Sequence, residues 1–178
     1  MSIERDEIDN LLYVRNTDHK ENHADRYIDH YLEQYRIYIH VFNTASERRL
    51  RSNEFFLGIN TAIIGILGYL QLKGPIEKPM FFLMVPFLGI AICYCWHRII
   101  RTYRQLDRAK FSVIHSAERK LPLALFETEW EILGKGKDRK KYQPFSNTEM
   151  IIPIIFTVLY LLIFLSNFPW QDVTNLFK

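Results

Sequence analysis

Residues 55–72 read FFLGINTAIIGILGYLQL. The run is almost wholly apolar, yet Asn60 and Thr61 lie well inside it. Its length matches the roughly 20 residues that cross about 30 Å of hydrocarbon. An amide in such a helix cannot face lipid without cost, so it has to face another helix or water. How the amide is housed decides how the chain folds.

Two further runs, 79–96 and 150–168, are equally apolar and almost free of charge. The totals over 178 residues, 48% hydrophobic and 24% charged, are those of an ordinary globular protein; their distribution is not. Three such runs in so short a chain leave too little sequence to cover them with a soluble shell. The expectation is an all-α integral membrane protein with three spans and a helical layer outside the membrane. The opening residues MSIERDEIDN are acidic and lack the apolar core of a signal peptide. Cys93 and Cys95 point about 200° apart on a helix and cannot pair, so both read as small buried apolar residues.

Of the 23 Lys and Arg residues, 8 fall in 1–52 and 12 in 98–141, against 2 in the connection 73–78 and one at Lys178. The positive-inside rule therefore puts the N-terminus and the 97–148 segment in the cytoplasm. The expected organisation is a cytoplasmic helical region (1–54), a membrane hairpin (55–96), cytoplasmic helices with a basic loop (97–148), a third span (149–168) and an external tail (169–178). Gly74, Pro75 and Pro79 break helix between the first two spans. Trp170 stands where an interfacial aromatic belongs.

Residues 19–52 predict one long helix. Tyr27, Tyr31, Tyr35, Tyr38 and Phe42 recur at spacings of three and four, with Ile28, Leu32 and Ile39 beside them. This is a packing stripe, with another subunit as a possible partner. Asp18 and Glu21 suggest a capping box at its start, and nothing from Tyr31 to Leu72 interrupts helix outright. The segment HRIIRTYRQLDRAKFSVIHSAERKLP should extend the second span and stop before Pro122. A short helix, LALFETEWEIL, then closes at Gly134. Ser146 and Glu149 suggest a capping box for the third span, and Pro153 a bend near its beginning.

Three patterns bear on chemistry. Arg108 and His115 have the R-x6-H spacing of HEPN ribonucleases, in which an Arg and a His from two subunits meet for acid–base cleavage of RNA. The same spacing arises readily in any Arg-rich helix, where it is only a basic face. His19, His23 and His30, with Asp25 and Asp29, have some spacing for a metal but no firm third ligand, so no metal or cofactor is assigned. The loop GKGKDRKKYQP lacks P-loop order; it suits an acidic partner, anionic head groups or nucleic acid.

On a helical wheel Asn53, Asn60, Leu67 and Gln71 fall within roughly 40° of arc. Gly58, Thr61, Gly65 and Gly68 fall on a separate arc, and small residues let helices approach closely in lipid. The amide stripe faces either a neighbouring subunit or central space, or a helix of its own subunit. The first alternative makes Asn53, Asn60 and Gln71 pore-lining, with Ile64 and Leu67 as an apolar constriction, and predicts that Asn60→Leu alters conductance more than abundance.

The blocks RRLRSNEFFLGINTAIIGILGYL, YRQLDRAKFSVIHSAERKLPLALFETEW and YQPFSNTEMIIPIIFTVLY together resemble the RipA family of octameric bacterial membrane proteins. The likeness spans roughly residues 30–165, and within that family it is greatest to accessory membrane proteins encoded beside the RNA-guided ribonuclease of type VI-B CRISPR systems. The resemblance implies a homo-octameric inner-membrane pore that depolarises the membrane once the ribonuclease finds its target. Eight helices about 10 Å apart in a ring leave a free radius of roughly 8 Å, wide enough for hydrated ions. A dewetted apolar gate or lipid would hold such a ring shut. Arg98, Arg101, Arg104 and Arg108 form a basic face to receive the activating signal. A membrane-anchored ribonuclease and a non-conducting scaffold are the alternatives.

Overall fold

The computed structural model describes residues 5–13, 24–73, 79–136 and 145–168. Among them every regular element is helical: α1 (Arg5–Leu12), α2 (Ala24–Leu72), α3 (Pro79–Glu118), α4 (Leu125–Ile132), a 3₁₀ turn (Gly134–Gly136) and α5 (Phe145–Asn167). α2 runs for 49 residues and α3 for 40, so each carries a polar stretch and an apolar span in one uninterrupted helix, as the sequence predicts. Pro79 opens α3, a position where its missing N–H costs nothing. The Asp18–Glu21 capping box, His19, His23 and Trp170 lie outside the described residues.

The chain divides into two units. The apolar unit comprises 49–102 and 145–178, the polar unit 1–48 and 103–144. Packing thus draws the boundary about one turn or two away from where composition draws it, because Arg49, Asn53 and Glu149 are bound into the apolar unit. Three helices in the described residues, α2, α3 and α5, are long and apolar enough to cross a membrane.

In the apolar unit the three spans meet at two amides. The Asn60 side chain accepts from the Cys93 thiol of α3 at 3.3 Å and from the Tyr160 hydroxyl of α5 at 3.0 Å. Its Nδ2 donates to the Phe56 carbonyl at 2.7 Å. Two helical turns earlier, Asn53 accepts from the Trp96 indole and donates to the Glu149 carboxylate, both at 2.9 Å. Each amide therefore ties α2 to both other spans. Between the two nodes Trp96 stacks on Phe56, with ring centroids 5.8 Å apart, and tilts against Phe156. Beyond them Leu67, Cys93 and Tyr160 form the buried core, with Ile63, Ile64 and Phe156 against it.

Gly89 makes this core possible. A methyl group in its place would overlap the Tyr160 ring, which lies against the α3 backbone and from there reaches Asn60. Most of the remaining surface of the spans is apolar and outward: Ile66, Phe87, Leu88, Ile155 and Leu162 are all exposed. In water such a surface would not persist; in hydrocarbon it costs nothing.

The expected Ser146–Glu149 capping box is not what forms. α5 begins at Phe145, so Ser146 lies inside the helix, and Glu149 is turned to Asn53, with Arg49 Nε 3.9 Å away. A buried carboxylate gains more from an amide and a guanidinium than from capping backbone that already begins a turn earlier. Cys95 is exposed, unlike Cys93, so the expectation of two buried cysteines holds for one.

In the polar unit the tyrosine stripe of α2 packs on its own chain. Tyr31 donates to the Ala117 carbonyl, Tyr35 to the Glu118 carboxylate at 3.2 Å, and Phe42 meets Phe111 edge to face. Tyr13, just past α1, donates to the Ser116 carbonyl at 3.0 Å. Glu118 is 1% exposed and is the hinge of the unit. Its two carboxylate oxygens accept the Phe126 and Glu127 amides, both at 3.0 Å. The last residue of α3 thereby caps the first turn of α4, a favourable place for negative charge. Burial, then the Glu118 charge and the hydrogen bond to it, push the Tyr35 hydroxyl up to about 12 from 10.0. The bond needs the neutral phenol, so its contribution is complete below pH 10.0 and is lost as pH rises through about 12.

Two outcomes are expected. Gly89→Ala overpacks the Tyr160 site at a cost of about 1–3 kcal/mol, and Asn60→Leu, which removes the side-chain acceptor of the Tyr160 hydroxyl and the Cys93 thiol and leaves Tyr160 only the long bond to the backbone carbonyl, has a similar cost. Both should lower the unfolding temperature of the detergent-solubilised protein. Glu118→Ala should uncap α4 and speed hydrogen exchange at the Phe126 and Glu127 amides while leaving exchange in the α5 span unchanged.

Candidate functional site

The amide stripe expected to line a pore faces inward. Asn60 is 0% exposed and Leu67 1%, while Asn53 and Ile64 are half-buried within the subunit. Of the two alternatives for the stripe, the structure gives the helix of the same subunit. The assignment of Asn60 and Leu67 as pore lining is corrected accordingly, while Asn53 and Ile64 are partly covered by the same helices. Three helices of one chain supply every partner the amides need. Only Gln71, at the end of α2, is exposed.

The small residues face the other way. Gly58, Thr61, Gly65 and Gly68 are exposed along the apolar unit, and a methyl group added at any of the three glycines would meet nothing within 4 Å. The wheel separated the two stripes correctly; what it could not give was which of them the subunit itself would consume.

The basic face divides between the units. Arg98 and Arg101 belong to the apolar unit and are exposed; Arg104 and Arg108 belong to the polar unit, where Arg104 is half-buried. His30 and Asp29 are exposed on α2, and the described residues contain no cluster of three metal-ligating side chains.

Arg108 and His115 do share a site. The polar unit contains a cavity of about 730 Å³ between one face of α3 and one face of α4. α3 supplies Arg108, Phe111, Ser112, His115 and Arg119, each three or four residues from another of the set and so on one side of the helix. α4 supplies Phe126 and Trp130 from its facing side, Leu133 follows at its C-terminal cap, and Ile8 of α1 adds to the wall. Glu118, by capping α4, sets the two helices against each other. Arg119 lies 3.5 Å from Asp9, whereas the Arg108 guanidinium has no ion-pair partner among the described residues. The Nε2 atom of His115 is buried and has no hydrogen-bond partner there either.

One wall is fixed by unusual backbone. Gly134, Lys135 and Gly136 have successive φ values of 69°, 55° and 68°. The turn brings Gly136 beneath the Trp130 ring so closely that a Cβ would lie 2.9 Å from Cη2. Lys135 occupies the left-handed region without being glycine, and its ammonium pairs with Glu131 at 2.8 Å. Sequence reading identified Arg108 and His115 by spacing but missed Phe126, Trp130 and Glu118. The i, i+4, i+7 repeat of Phe126, Trp130 and Leu133 was the available signal. Nothing in the sequence marks Glu118 as a cap for a helix seven residues away.

A three-span apolar unit and a helical polar unit, built on two helices that serve both, are the features to match against known proteins. Searches among curated proteins and solved structures find no match. A family model does match, over residues 32–169, well beyond half of the chain. The matched region takes in all three spans and the whole cavity-forming segment of α3 and α4, and the chain belongs to the octameric membrane protein family, 8xMP.

Proposed function

We propose that eight copies of this chain form a pore in the bacterial inner membrane, with the N-terminus and the polar unit in the cytoplasm, and that opening of the pore dissipates the membrane potential. The observation that carries this reading is the open small-residue face of α2. The subunit satisfies its own amides and leaves Gly58, Thr61, Gly65 and Gly68 outward, in a family of octamers. Small residues left uncovered on a span suit close packing by a neighbouring copy. With Asn60 and Leu67 withdrawn inside the subunit and Thr61 in the packing face, Gln71 is the polar side chain of the amide stripe that remains available to the pore or its mouth.

The trigger follows from the sequence resemblance. An RNA-guided ribonuclease of a type VI-B CRISPR system, activated by phage RNA, signals to the exposed guanidinium groups at Arg98, Arg101 and Arg108, and depolarisation slows phage replication. In this role the protein has no catalytic activity of its own. A membrane-anchored HEPN-type ribonuclease is the second reading, and the cavity common to Arg108 and His115 favours it.

The test is dye-reported membrane potential in cells, with and without the activated ribonuclease, beside native mass spectrometry of the purified protein. Gly65→Leu should keep the helical content of the subunit, since nothing lies within 4 Å of that position. It should also reduce the octamer to smaller species and abolish depolarisation. Retention of the octamer would reject the small-residue interface. Liposomes that stay tight with partner present would favour a non-conducting scaffold. Loss of RNA cleavage in Arg108→Ala/His115→Ala, with ion leakage unchanged, would establish the nuclease as a separate activity.

A further inference from the structure

We propose that the cavity between α3 and α4 of the polar unit is a binding site for a nucleotide, that is, a phosphate ester carrying an aromatic base. The proposal concerns binding in this unit and holds whether or not the assembly conducts ions.

Three features of the cavity select that chemistry together. The first is anion recognition. Arg108 presents a guanidinium with no ion-pair partner among the described residues, and His115, two helical turns along the same face, presents a buried Nε2 without a hydrogen-bond partner. Guanidinium groups bind phosphate oxygens through paired hydrogen bonds, and an imidazole nitrogen adds a donor beside them. Ser112 lies between the two and donates its own proton to the Arg108 carbonyl at 3.1 Å, so its oxygen is left as an acceptor for a hydroxyl or amino group of the ligand and not for the phosphate.

The second is an aromatic wall on rigid support. Trp130 is held from below by the Gly136 backbone, and Phe126, one turn earlier on α4, stands edge to face with Phe111 at 6.4 Å. Aromatic side chains of this kind offer a surface on which a planar base stacks, and such stacking is tolerant of base identity. The third is the pair of carboxylates at Glu127 and Glu129, which also line the cavity. They disfavour a bare anion and call for hydrogen-bond donors on the ligand. Ribose hydroxyls and an exocyclic amino group are such donors, and they can reach the carboxylates while the phosphate stays at Arg108; inorganic phosphate cannot span both, and an acyl chain has no donor. The volume, about 730 Å³, is in the range of single-ligand pockets and exceeds what a mononucleotide fills.

Nucleotide chemistry has two sources, a free mononucleotide and the end of an RNA strand, and the experiment separates them. The full-length protein in detergent is titrated by calorimetry with AMP, ATP, a 5′-phosphorylated RNA pentamer and inorganic phosphate. AMP or ATP, or the pentamer, should bind saturably, and inorganic phosphate at least ten-fold more weakly. Arg108→Ala and Trp130→Ala should each weaken binding about ten-fold or more. Trp130→Phe, which keeps an aromatic face, should recover most of the loss, and the exposed Arg36→Ala should bind as the unaltered protein does. Circular dichroism of each variant confirms that it is folded. If the pentamer binds more tightly than the mononucleotides with the same dependence on Arg108 and Trp130, the site reads an RNA end, and the proposal stands. Absence of nucleotide binding at millimolar concentration overturns it. So does binding that ignores both substitutions, or inorganic phosphate binding as well as AMP.

Discussion

Everything in the apolar unit depends on one constraint. In hydrocarbon no water can satisfy an amide, so a span that carries Asn60 has to bring two others to it. The Cys93 thiol and the Tyr160 hydroxyl both end on its oxygen, and this single side chain sets the register of α2 against α3 and α5. Asn53 repeats the arrangement seven residues earlier with Trp96 and Glu149. Hydrogen bonds between spans are individually modest, about 0.6 kcal/mol on average, but leaving their partners unpaired is costly, which makes them strict about geometry. Apolar packing alone would let three greasy helices rotate against one another; two amide nodes do not.

Housing the amides internally has a consequence for assembly. A span has one circumference, and the part used inside the subunit is not available outside it. The amide stripe and its bulky neighbours are spent on α3 and α5, and the face with Gly58, Gly65 and Gly68 is left uncovered, which is why the proposed interface with another copy is placed there. The polar unit is organised on the opposite principle. There a charge, the Glu118 carboxylate, is buried because it holds two α4 amides and the Tyr35 hydroxyl at once. The hinge it makes leaves a cavity rather than a closed core between α3 and α4, lined by groups with unused hydrogen-bonding capacity.

Much of this architecture is legible in the residues. Three apolar runs of spanning length, the long helices that carry two of them, the stop before Pro122 and the closure of the short helix at Gly134 all follow from composition and periodicity, because hydrophobic length and helix breakers act locally. The separation of an amide stripe from a small stripe on α2 follows as well. The spacing of Arg108 and His115 placed them on one helix face, and they do share a cavity wall. The capping role given to Glu149 failed because a buried carboxylate answered to Asn53, far away in the chain, rather than to its own backbone. The tyrosine stripe read equally well as a surface for another subunit, since periodicity shows that a face is covered and not by what.

What the residues decided alone is therefore the element list, the three spans and the chemical character of each helical face; these are set by the local pattern of apolar, small and polar side chains. Tertiary structure decided which face meets which. It turned Asn60 inward to Tyr160, gave Gly89 its purpose beneath that ring, and set Trp130 over Gly136 opposite Arg108. Apart from Trp130 and Gly136, six residues apart across a left-handed turn, those pairings join residues far apart in the chain, and their energies exist only once the helices have docked, so no local reading of the sequence contains them.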